Sequence, residues 1–404
     1  MKILYVCHRF PFPPKRGGKI RPFNMIKHLS ENHEVTVASL VRSDDEAQEG
    51  QGLKDFCHQF HMEKINKWPG NIRMVSKLFS IEPSSMGYFY SPKLEKDIQN
   101  EIKQNAYDLI FVHCSSVAQY VENIADIPKI LDFGDMDSQK WLEYSRVRTF
   151  PLTLGYWLEG NKMLIAEKKL AKKFDYCSCT TKAEKQTLDE YGVTDKTFWF
   201  PNGVDYEFFK PDDIDYVPNS VCFIGRMDYY PNQECMFDFC ENILPLLKEK
   251  NPDITLTIIG ANPSPKVKDL GNISGVTVTG SVDDVRPYVL KSAVNVAPLN
   301  IARGTQNKIL ESMAMGVPVV ASVAAAGGID AEPGEHFLMA QSPQEYADAI
   351  VRLLDPSERE KFSKAGRERI VSHHDWDNSM KRLDTLIEKC MGLSKKDELQ
   401  KSLV

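Results

Sequence analysis

The residues best suited to bind an anionic ligand lie in one short stretch of the C-terminal half. Lys308 and Glu311 are three residues apart, so a helix would place them on one face. We expect Thr305 to be the N-cap of that helix and Gly316 to end it in the left-handed conformation. Backbone N–H groups at the helix start and the Lys308 ammonium suit phosphate, whereas the Glu311 carboxylate suits ribose hydroxyls. The ordinary alternative is a surface helix with a solvated Lys–Glu pair.

A second group of polar side chains follows two predicted strands of the N-terminal half. His113 ends one strand, and Asp132, Asp135 and Asp137 follow the next. Ligands of open α/β sheets bind outside the carboxyl ends of the strands, so His113 and Asp135 are candidates for the acceptor side of an active site. The alternatives are a structural histidine and helix-capping aspartates. The spacing of the three aspartates matches no metal-binding motif, and we expect no metal.

The elements that must position these residues begin with a βαβ unit. Ile3–Cys7 predicts a buried strand, a helix is expected from about Ile20 to Asn32, and Glu34–Leu40 predicts the next strand. The intervening loop lacks G-x-G-x-x-G, so the dinucleotide-binding fingerprint is absent. Gly17 and Gly18 in this loop would still let the backbone approach a ligand closely. A plain surface turn is the alternative.

The second half of the chain repeats the alternation of strand and helix. Strands are expected near 220–225, 254–259, 276–279, 293–297, 317–321 and 336–339. This order predicts a parallel, doubly wound sheet. Arg226 follows the first of these strands and Asn232 opens the next helix, so both would lie at an anion site. Gly260 and Gly280 end two further strands and are expected to line a nucleotide pocket.

Domain boundaries follow from composition. The segment from Pro201 to Asn219 is rich in Pro and Asp, as an interdomain connection should be. We therefore expect an N-terminal domain over 1–200, a C-terminal nucleotide-binding domain over 201–375, and a final helix and tail over 376–404.

Two segments of the first half combine aromatic and basic residues. Lys67–Ile81 could form a basic amphipathic helix lying on lipid, but we expect an ordinary half-buried helix. Trp141–Phe174 is predicted to be helical and is the other candidate for facing a membrane or a polyprenyl acceptor. A solvated helix face is the expected outcome there too.

Bulk properties exclude several classes of protein. The 404 residues carry a net charge of −6, so no basic field would recruit nucleic acid. The nine cysteines are scattered without C-x-x-C, which favours reduced thiols over disulfides or zinc. Met1 and Lys2 lead directly into a strand, and no apolar run approaches the roughly 18 residues of a membrane span. We expect a cytoplasmic protein, with peripheral contact at the inner membrane left open.

The run from Glu311 to Val320, together with Lys308, resembles the sugar-nucleotide signature of glycosyltransferase family 4. The string Pro-Asn-Gly-Val-Asp at 201–205 is similar to the interdomain junction of that family. The resemblance implies the GT-B fold, in which two Rossmann-like domains face each other and a C-terminal helix crosses back. It also implies that Glu311 holds the ribose, that Gly17 and Gly18 face the donor diphosphate, and that Arg226 and Lys308 stabilise it.

Two positions depart from the family pattern. The usual lysine five residues after Arg226 is Pro231, and the glutamate usual in many members eight residues before Glu311 is Arg303. Several further strings, among them Asp-Met-Asp-Ser-Gln-Lys-Trp at 135–141, resemble the branch found beside exosortase and PEP-CTERM exopolysaccharide gene clusters. Arg303 is expected to bind the donor, either at the phosphates or at an acidic sugar.

The resemblance implies transfer of a sugar, with anomeric retention, from a nucleoside-diphosphate sugar to a polysaccharide or polyprenyl-linked acceptor. No cofactor is expected, because the nucleotide sugar is the substrate. Two alternatives stay open: a sugar-nucleotide epimerase of the same fold, and a sugar-nucleotide-binding protein without activity. The intact set of Arg226, Lys308 and Glu311 argues against the second.

Overall fold

The chain folds into two compact units. The structure is a computed structural model that describes residues 1–15 and 17–401, without the side chains of residues 67, 79 and 393–401. Met1–Phe200 and the residues from Met380 onward form the first unit, and Pro201–Ser379 forms the second. The end of the predicted tail, residues 402–404, lies outside the described residues. None of the described helices combines the length and the apolarity needed to cross a bilayer.

In the described part of the first unit, seven strands form one sheet in the order β3-β2-β1-β4-β5-β6-β7. Every neighbouring pair is parallel. The strands are β1 (Lys2–Cys7), β2 (Glu34–Val41), β3 (Gln59–Lys64), β4 (Leu109–His113), β5 (Lys129–Asp132), β6 (Tyr176–Cys179) and β7 (Thr197–Trp199). The central strands are buried on both faces, as their continuous apolar runs require.

Helices cover both faces of this sheet and supply the crossovers that parallel strands need. They are α1 (Gly17–Ser30), α2 (Asp44–Gly50), α3 (Lys67–Ser76), α4 (Ser84–Tyr88), α5 (Pro92–Gln104), α6 (Asp137–Val147), α7 (Leu152–Lys173) and α8 (Lys182–Asp189). Short 3-10 helices occupy Gln51–Asp55, Lys77–Phe79, Ser115–Tyr120 and Thr194–Lys196.

The second unit is built around a six-stranded sheet in the order β10-β9-β8-β11-β12-β13, again parallel throughout. Its strands are β8 (Val217–Ile224), β9 (Thr255–Ile259), β10 (Val276–Gly280), β11 (Ser292–Ala297), β12 (Val319–Ser322) and β13 (Leu338–Ala340). Two doubly wound parallel sheets confirm the predicted α/β class.

The helices of the second unit match the predicted alternation, with two short additions over 265–269 and 323–326. They are α9 (Tyr230–Asp238), α10 (Leu244–Lys250), α11 (Pro265–Asp269), α12 (Arg286–Leu290), α13 (Asn307–Ala314), α14 (Val323–Ala326), α15 (Pro343–Leu354) and α16 (Pro356–His373). A π-helical turn, Phe239–Ile243, joins α9 to α10, and a 3-10 turn, Leu270–Asn272, follows α11.

The last helix, α17 (Trp376–Lys401), contributes its residues from Met380 onward to the first unit. There Asp384 pairs with His28 of α1, with 2.9 Å between the imidazole Nε2 and the carboxylate Oδ1. Arg382 and Lys389 stack over the rings of Trp199 and Phe198. Ionic and cation–π contacts therefore attach this helix to the first sheet.

One expectation for the first unit is wrong, and one strand was not predicted. The edge strand β3 has no counterpart in the sequence-based prediction, because its partly exposed side chains lack the buried run of a central strand. The expectation of a half-buried helix over 67–81 fails, because α3 packs through Gly70 and Arg73 and leaves Trp68 and Ile72 exposed. Small and basic residues, not the apolar ones, face the protein.

Candidate functional site

In each sheet one candidate residue lies at the end of a strand where the winding direction changes. In the first sheet β1 and β4 are neighbours, and Cys7 at the end of β1 pairs with His113 at the end of β4. In the second sheet β8 and β11 are the corresponding neighbours, and Arg226 lies just beyond β8. Crevices at such switch points are where open α/β sheets bind ligands.

His113 is held in one orientation by a buried carboxylate. Its Nδ1 atom lies 2.7 Å from Oδ2 of Asp132, the last residue of the neighbouring strand. Arg21 binds the same carboxylate through Nε and Nη2, both at 2.9 Å, and Ser178 donates to it at 2.8 Å. Although burial alone would raise the pKa of Asp132, the Arg21 charge and these hydrogen bonds lower it well below its usual range. An ionised Asp132 therefore binds Nδ1 of His113 and fixes the direction of the Nε2 atom.

A second histidine, which the sequence-based prediction missed, lies beside His113. His8 directly follows β1, and its ring centroid is 5.9 Å from that of His113. Burial and the neighbouring Arg9 charge lower the pKa of His8 well below its usual value, so the ring is neutral. Gly134 adopts a φ of +67°, and a Cβ there would lie 3.3 Å from Cε1 of His113. Position at the end of a strand next to β4 was the sequence signal that could have identified His8.

The aspartates after β5 do not cap the helix that follows, so the alternative of helix-capping aspartates is wrong. Asp135 accepts a hydrogen bond from the Thr180 hydroxyl at 3.0 Å. Asp137 is the first residue of α6, and burial raises the pKa of its carboxyl. The backbone N–H groups at the start of α6 are bound by Glu184 at 3.0 Å and Glu167 at 2.9 Å. These two glutamates lie on α8 and α7. They cap the start of α6, so Asp135 is not needed as its N-cap.

Gly17 and Gly18 are not loop residues as expected, because α1 already begins at Gly17. A Cβ at Gly17 would meet no atom within 4 Å, and one at Gly18 would lie 3.5 Å from Cδ of Arg9. Neither glycine has a positive φ. The helix begins earlier than predicted. A ligand at this position would therefore meet the free N–H groups of the first helical turn and not a flexible glycine turn.

In the second unit Lys308 is fixed above the end of β8. Its Nζ atom donates to Oδ1 of Asn232 at 2.8 Å and lies 4.1 Å from the centroid of the Phe223 ring. Asn232 in turn donates to the backbone oxygen of Arg226 at 2.9 Å. Burial lowers the pKa of the Lys308 ammonium to about 8. Three predicted site residues, Arg226, Asn232 and Lys308, are thus brought together by direct hydrogen bonds.

Glu311 lies on the same helix, less than one turn beyond Lys308. Burial raises the pKa of its carboxyl to about 7, an effect that the Lys308 charge partly offsets. Within the described part of the chain, no protein group donates a hydrogen bond to this carboxylate. A desolvated carboxylate without a protein donor is suited to accept hydrogen bonds from a ligand.

The loop before α13 differs from the prediction. Thr305 is not the N-cap: α13 begins at Asn307, and the capping position, Gln306, makes no side-chain hydrogen bond to the helix. The Thr305 hydroxyl and the Asn307 amide oxygen are buried and have no partner among the described residues. Gly304 has a φ of +61° and packs directly against Gly328. A Cβ on Gly328 would lie 1.9 Å from the Gly304 backbone oxygen. Backbone contact, not a cap, therefore shapes this loop.

The other end of α13 follows the prediction. Gly316 has a φ of +71°, so the helix ends in the left-handed conformation. The N–H group of Gly316 bonds to the Met313 oxygen at 3.0 Å, and that of Val317 to the Ser312 oxygen at 2.9 Å. The chain then enters the buried strand β12, so the helix carrying Lys308 and Glu311 is anchored to the core at its C-terminal end.

Arg226 carries an ion pair with a neighbour in sequence. Its guanidinium binds both carboxylate oxygens of Asp228, with Nε 3.0 Å from Oδ1. The hydrogen bond from Arg226 lowers the pKa of Asp228. Pro231 lies within the first two residues of α9 and contributes no charge. A phosphate at this position would share the Arg226 guanidinium with Asp228, so Arg226 alone supplies less than a full positive charge.

Gly260 and Gly280 lie at strand ends, as expected. Gly260 follows β9, and a Cβ there would lie 1.7 Å from the Gly225 oxygen, so only glycine fits. Gly280 ends β10 with a φ of +74° and lines an open cavity of about 690 Å³ with Asn262 and Thr279. The structure therefore places a cavity at the β10 edge of the sheet.

Metal ligands are a separate matter. Among residues 1–15 and 17–401, no group of three or more His, Cys, Asp or Glu side chains is arranged to hold a metal ion. The expectation of a metal-free site stays a prediction.

Comparison with known proteins identifies both units. The family described as "Glycosyltransferase Family 4" matches residues 16–208, and the family described as "Glycosyl transferases group 1" matches residues 218–356. A Klebsiella pneumoniae protein described as an uncharacterized 44.6 kDa protein in the cps region is 21% identical over 370 residues, which are 87% of this chain and 90% of that protein.

Solved structures share the fold. Sucrose-phosphate synthase from Thermosynechococcus elongatus superimposes with a TM-score of 0.71 at 16% identity, over 97% of this chain and all of the other. The Anabaena protein HepE, solved in complex with UDP, gives a TM-score of 0.68 at 15% identity over 96% and 100%. These likenesses confirm the GT-B fold. With the two family matches, they show that the chain belongs to the glycosyltransferases of the GT-B superfamily.

Proposed function

We propose that this glycosyltransferase moves a sugar from a nucleoside-diphosphate sugar, with anomeric retention, to a polysaccharide or polyprenyl-linked acceptor. HepE has been solved with UDP and with UDP-glucose, which supports a nucleotide sugar as donor here. The relative from a cps region supports a role in bacterial exopolysaccharide synthesis. Assignment to the exosortase-associated branch rests on the sequence strings alone. The proposal includes a cytoplasmic location with peripheral contact at the inner membrane.

The observation that carries the proposal is the arrangement around the start of α13. Lys308 supplies a fixed cation, and Glu311 supplies a carboxylate without a protein donor on the same helix. The buried Thr305 hydroxyl and Asn307 amide oxygen also lack partners among the described residues. Buried polar groups are normally hydrogen-bonded, so this cluster fits a ligand that carries both phosphates and hydroxyls.

In the proposed reaction the protein positions two substrates and stabilises a departing diphosphate. Lys308, Arg226 and the N–H groups at the start of α13 would balance the phosphate charge, and Glu311 would bind the ribose hydroxyls. His113 and Asp135 would bind the acceptor. The leaving phosphate oxygen would take the acceptor proton on the face from which the diphosphate departs, so the protein needs no nucleophile of its own.

No divalent metal takes part in the proposed reaction. Side chains and helix ends supply the positive charge instead, so EDTA should leave the initial rate of transfer nearly unchanged. Loss of activity with EDTA, restored by magnesium or manganese, would contradict this part of the proposal.

The test of the function is a thermal-shift and turnover screen of nucleotide sugars on the purified chain. Glu311→Ala should weaken binding of the stabilising nucleoside diphosphate by roughly 2–4 kcal/mol, because a charged hydrogen-bond partner is lost. Glu360→Ala, at an exposed position of α16, is the matched control and should change nothing. Unchanged affinity in Glu311→Ala would contradict the ribose assignment. A donor that changes configuration without an acceptor would indicate an epimerase, and binding without turnover an inactive sugar-nucleotide-binding protein.

A further inference from the structure

The first unit exposes two rows of large apolar side chains. One row lies on α3 and the segment after it, where Trp68 is 78% exposed and Ile81 is 75% exposed. The other covers the turn between α6 and α7 and the start of α7, where Phe150 is 81% exposed and Trp157 is 50% exposed. The remaining members of the two rows are Ile72, Val75, Leu78, Val147, Leu152, Leu154 and Leu158. Monomeric proteins rarely expose contiguous apolar surface on this scale without an interaction partner.

Helical spacing aligns each row. Trp68, Ile72 and Val75 follow the i, i+4, i+7 pattern on α3. Leu154 and Leu158 follow the i, i+4 pattern on α7. The helix α3 and the first two turns of α7 therefore each expose an apolar stripe.

Direct hydrogen bonds join the two rows. The ammonium of Lys162 on α7 donates to the backbone oxygens of Lys77 and Leu78 at 2.8 and 2.9 Å. One turn earlier, the Glu159 carboxylate accepts hydrogen bonds from the N–H groups of Ser84 and Ser85 at 2.9 and 2.8 Å. The middle of α7 is thus attached to segment 77–85, and the two rows form one surface, here called the apolar face.

Basic residues outnumber acidic ones around the apolar face. Segment 67–81 contains three basic residues and no acidic one, and segment 144–158 contains Arg146 and Arg148 and no acidic one. Three acidic residues directly flank these segments: Glu82, which is paired with Lys77, Glu159, which binds backbone N–H groups, and Glu143. The whole chain is nevertheless acidic, with a net charge of −6. A basic rim around aromatic and aliphatic side chains complements an anionic membrane surface.

We propose that the apolar face docks this protein on the surface of a phospholipid bilayer with anionic headgroups. Phe150, Trp157 and Trp68 enter the boundary between headgroups and acyl chains, and Arg146 lies at the headgroups. The helix α6 has 11 residues and starts two residues after Asp135, so the far end of α6, where the apolar turn begins, lies roughly 16 Å from its start. This inference deepens the peripheral contact included in the proposed function by naming the surface and the lipid charge.

The test is sedimentation of the full chain with vesicles, in the absence of nucleotide sugar and acceptor. Vesicles of phosphatidylglycerol and phosphatidylethanolamine should bind the protein, and pure phosphatidylcholine vesicles should bind it much more weakly. The triple variant Trp68→Ser, Phe150→Ser, Trp157→Ser should reduce binding by at least roughly a hundredfold, because three exposed aromatic anchors are lost. Arg146→Gln should reduce it by roughly fivefold. The double variant Val217→Ser, Val323→Ser is the matched control, since both valines are exposed in the second unit.

The triple variant should keep the parent circular dichroism spectrum and nucleoside-diphosphate affinity, because it changes exposed side chains only. Absence of vesicle binding, or binding that the triple variant retains, would overturn the proposal. Equal binding to phosphatidylcholine would overturn the choice of an anionic surface. A parent dimer that the triple variant abolishes, without vesicle binding, would assign the apolar face to a second copy. Because the assay uses neither donor nor acceptor, its failure is distinguishable from failure of the proposed function.

Discussion

Nδ1 of His113 lies 2.7 Å from Oδ2 of Asp132, and the same carboxylate is held by Arg21 in a buried ion pair. The ion pair keeps Asp132 ionised, and the ionised carboxylate fixes the orientation of the His113 ring through Nδ1. His113 is therefore more than a polar residue at a strand end, because its Nε2 atom has a fixed direction. Such a group can orient an acceptor hydroxyl.

The first prediction concerns His113. His113→Ala should lower the rate of transfer by roughly 10²-fold, because a poorly oriented acceptor reacts slowly. Nucleoside-diphosphate affinity, measured by calorimetry, should not change. His61→Ala is the matched control, since His61 also pairs with a carboxylate, Glu101, but at the β3 edge of the same sheet. Transfer at the parent rate in His113→Ala would make His113 a structural residue.

The second prediction concerns the pH dependence of nucleotide binding. The carboxyl of Glu311 has a pKa of about 7 and the ammonium of Lys308 one of about 8, so both are mainly charged only between these values. Below about pH 7, Glu311 gains a proton and loses its ability to accept from both hydroxyls. Above about pH 8, Lys308 loses its charge. Nucleoside-diphosphate affinity should therefore fall on both sides of this window.

Two variants test the acidic and the alkaline side of this pH dependence separately. In Glu311→Gln, the part of the affinity loss below pH 7 that is due to Glu311 should disappear. The phosphate of the ligand also titrates, but it does so equally with parent and variant, so the difference between them reports on Glu311. Lys308→Arg keeps its charge and should flatten the alkaline limb. An affinity profile of the same shape in parent and variants, measured by calorimetry from pH 6 to 9, would contradict both assignments.

The third prediction concerns stability. Glu167 is buried and accepts from the Ser138 N–H at 2.9 Å and from the Tyr191 hydroxyl at 2.9 Å, while burial raises its pKa to about 7. A raised carboxyl pKa means that the folded state binds the proton more tightly than the unfolded state. Stability from this group is thus present at low pH and is lost as the pH rises from about 4.5 to about 7.

Glu167→Gln removes this titration. Between pH 4 and pH 8, the free energy of unfolding of the variant should rise relative to that of the parent by about 3 kcal/mol. Denaturant unfolding at several pH values measures the difference. Glu31→Gln, at an exposed position just after α1, is the control and should follow the parent. A constant difference between Glu167→Gln and the parent would refute the prediction.

Local signals made the fold predictable. The buried strands are continuous apolar runs, and Gly316 marks the end of α13 because only a residue tolerating positive φ fits there. The edge strand β3 escaped prediction because its two half-exposed faces leave no periodic signal. Thr305 looked like a cap because caps are recognised by residue type, whereas the contact of Gly304 with Gly328 is set by tertiary packing.

The candidate site was predictable only where sequence neighbours share an element. Lys308 and Glu311 are such neighbours, and their common helix follows from spacing alone. The contact of Lys308 with Asn232 joins residues 76 positions apart and could not be deduced from spacing. His8 was missed for the same reason, since its proximity to His113 arises from the pairing of β1 with β4.

The last prediction concerns Arg303 and the balance of charge at the diphosphate. Three observations indicate a deficit of positive charge in the second unit. Pro231 replaces the lysine usual in the resembling family, Asp228 occupies the guanidinium of Arg226, and burial weakens the charge of Lys308 above about pH 8. Arg303 lies in the loop before α13, two residues from Thr305, where it can add a permanent positive charge.

If Arg303 serves the phosphates, Arg303→Ala should weaken plain nucleoside diphosphate and the full donor equally, each by roughly 1.5–3 kcal/mol. Asp228→Asn should have the opposite effect, because it releases the guanidinium of Arg226. Arg286→Ala is the matched control, since Arg286 is also paired with a near neighbour, Asp284, in the same unit. Weakening of the full donor alone would instead assign Arg303 to an acidic sugar. No weakening of either ligand would refute the charge-compensation argument, because the deficit would then have to be met elsewhere.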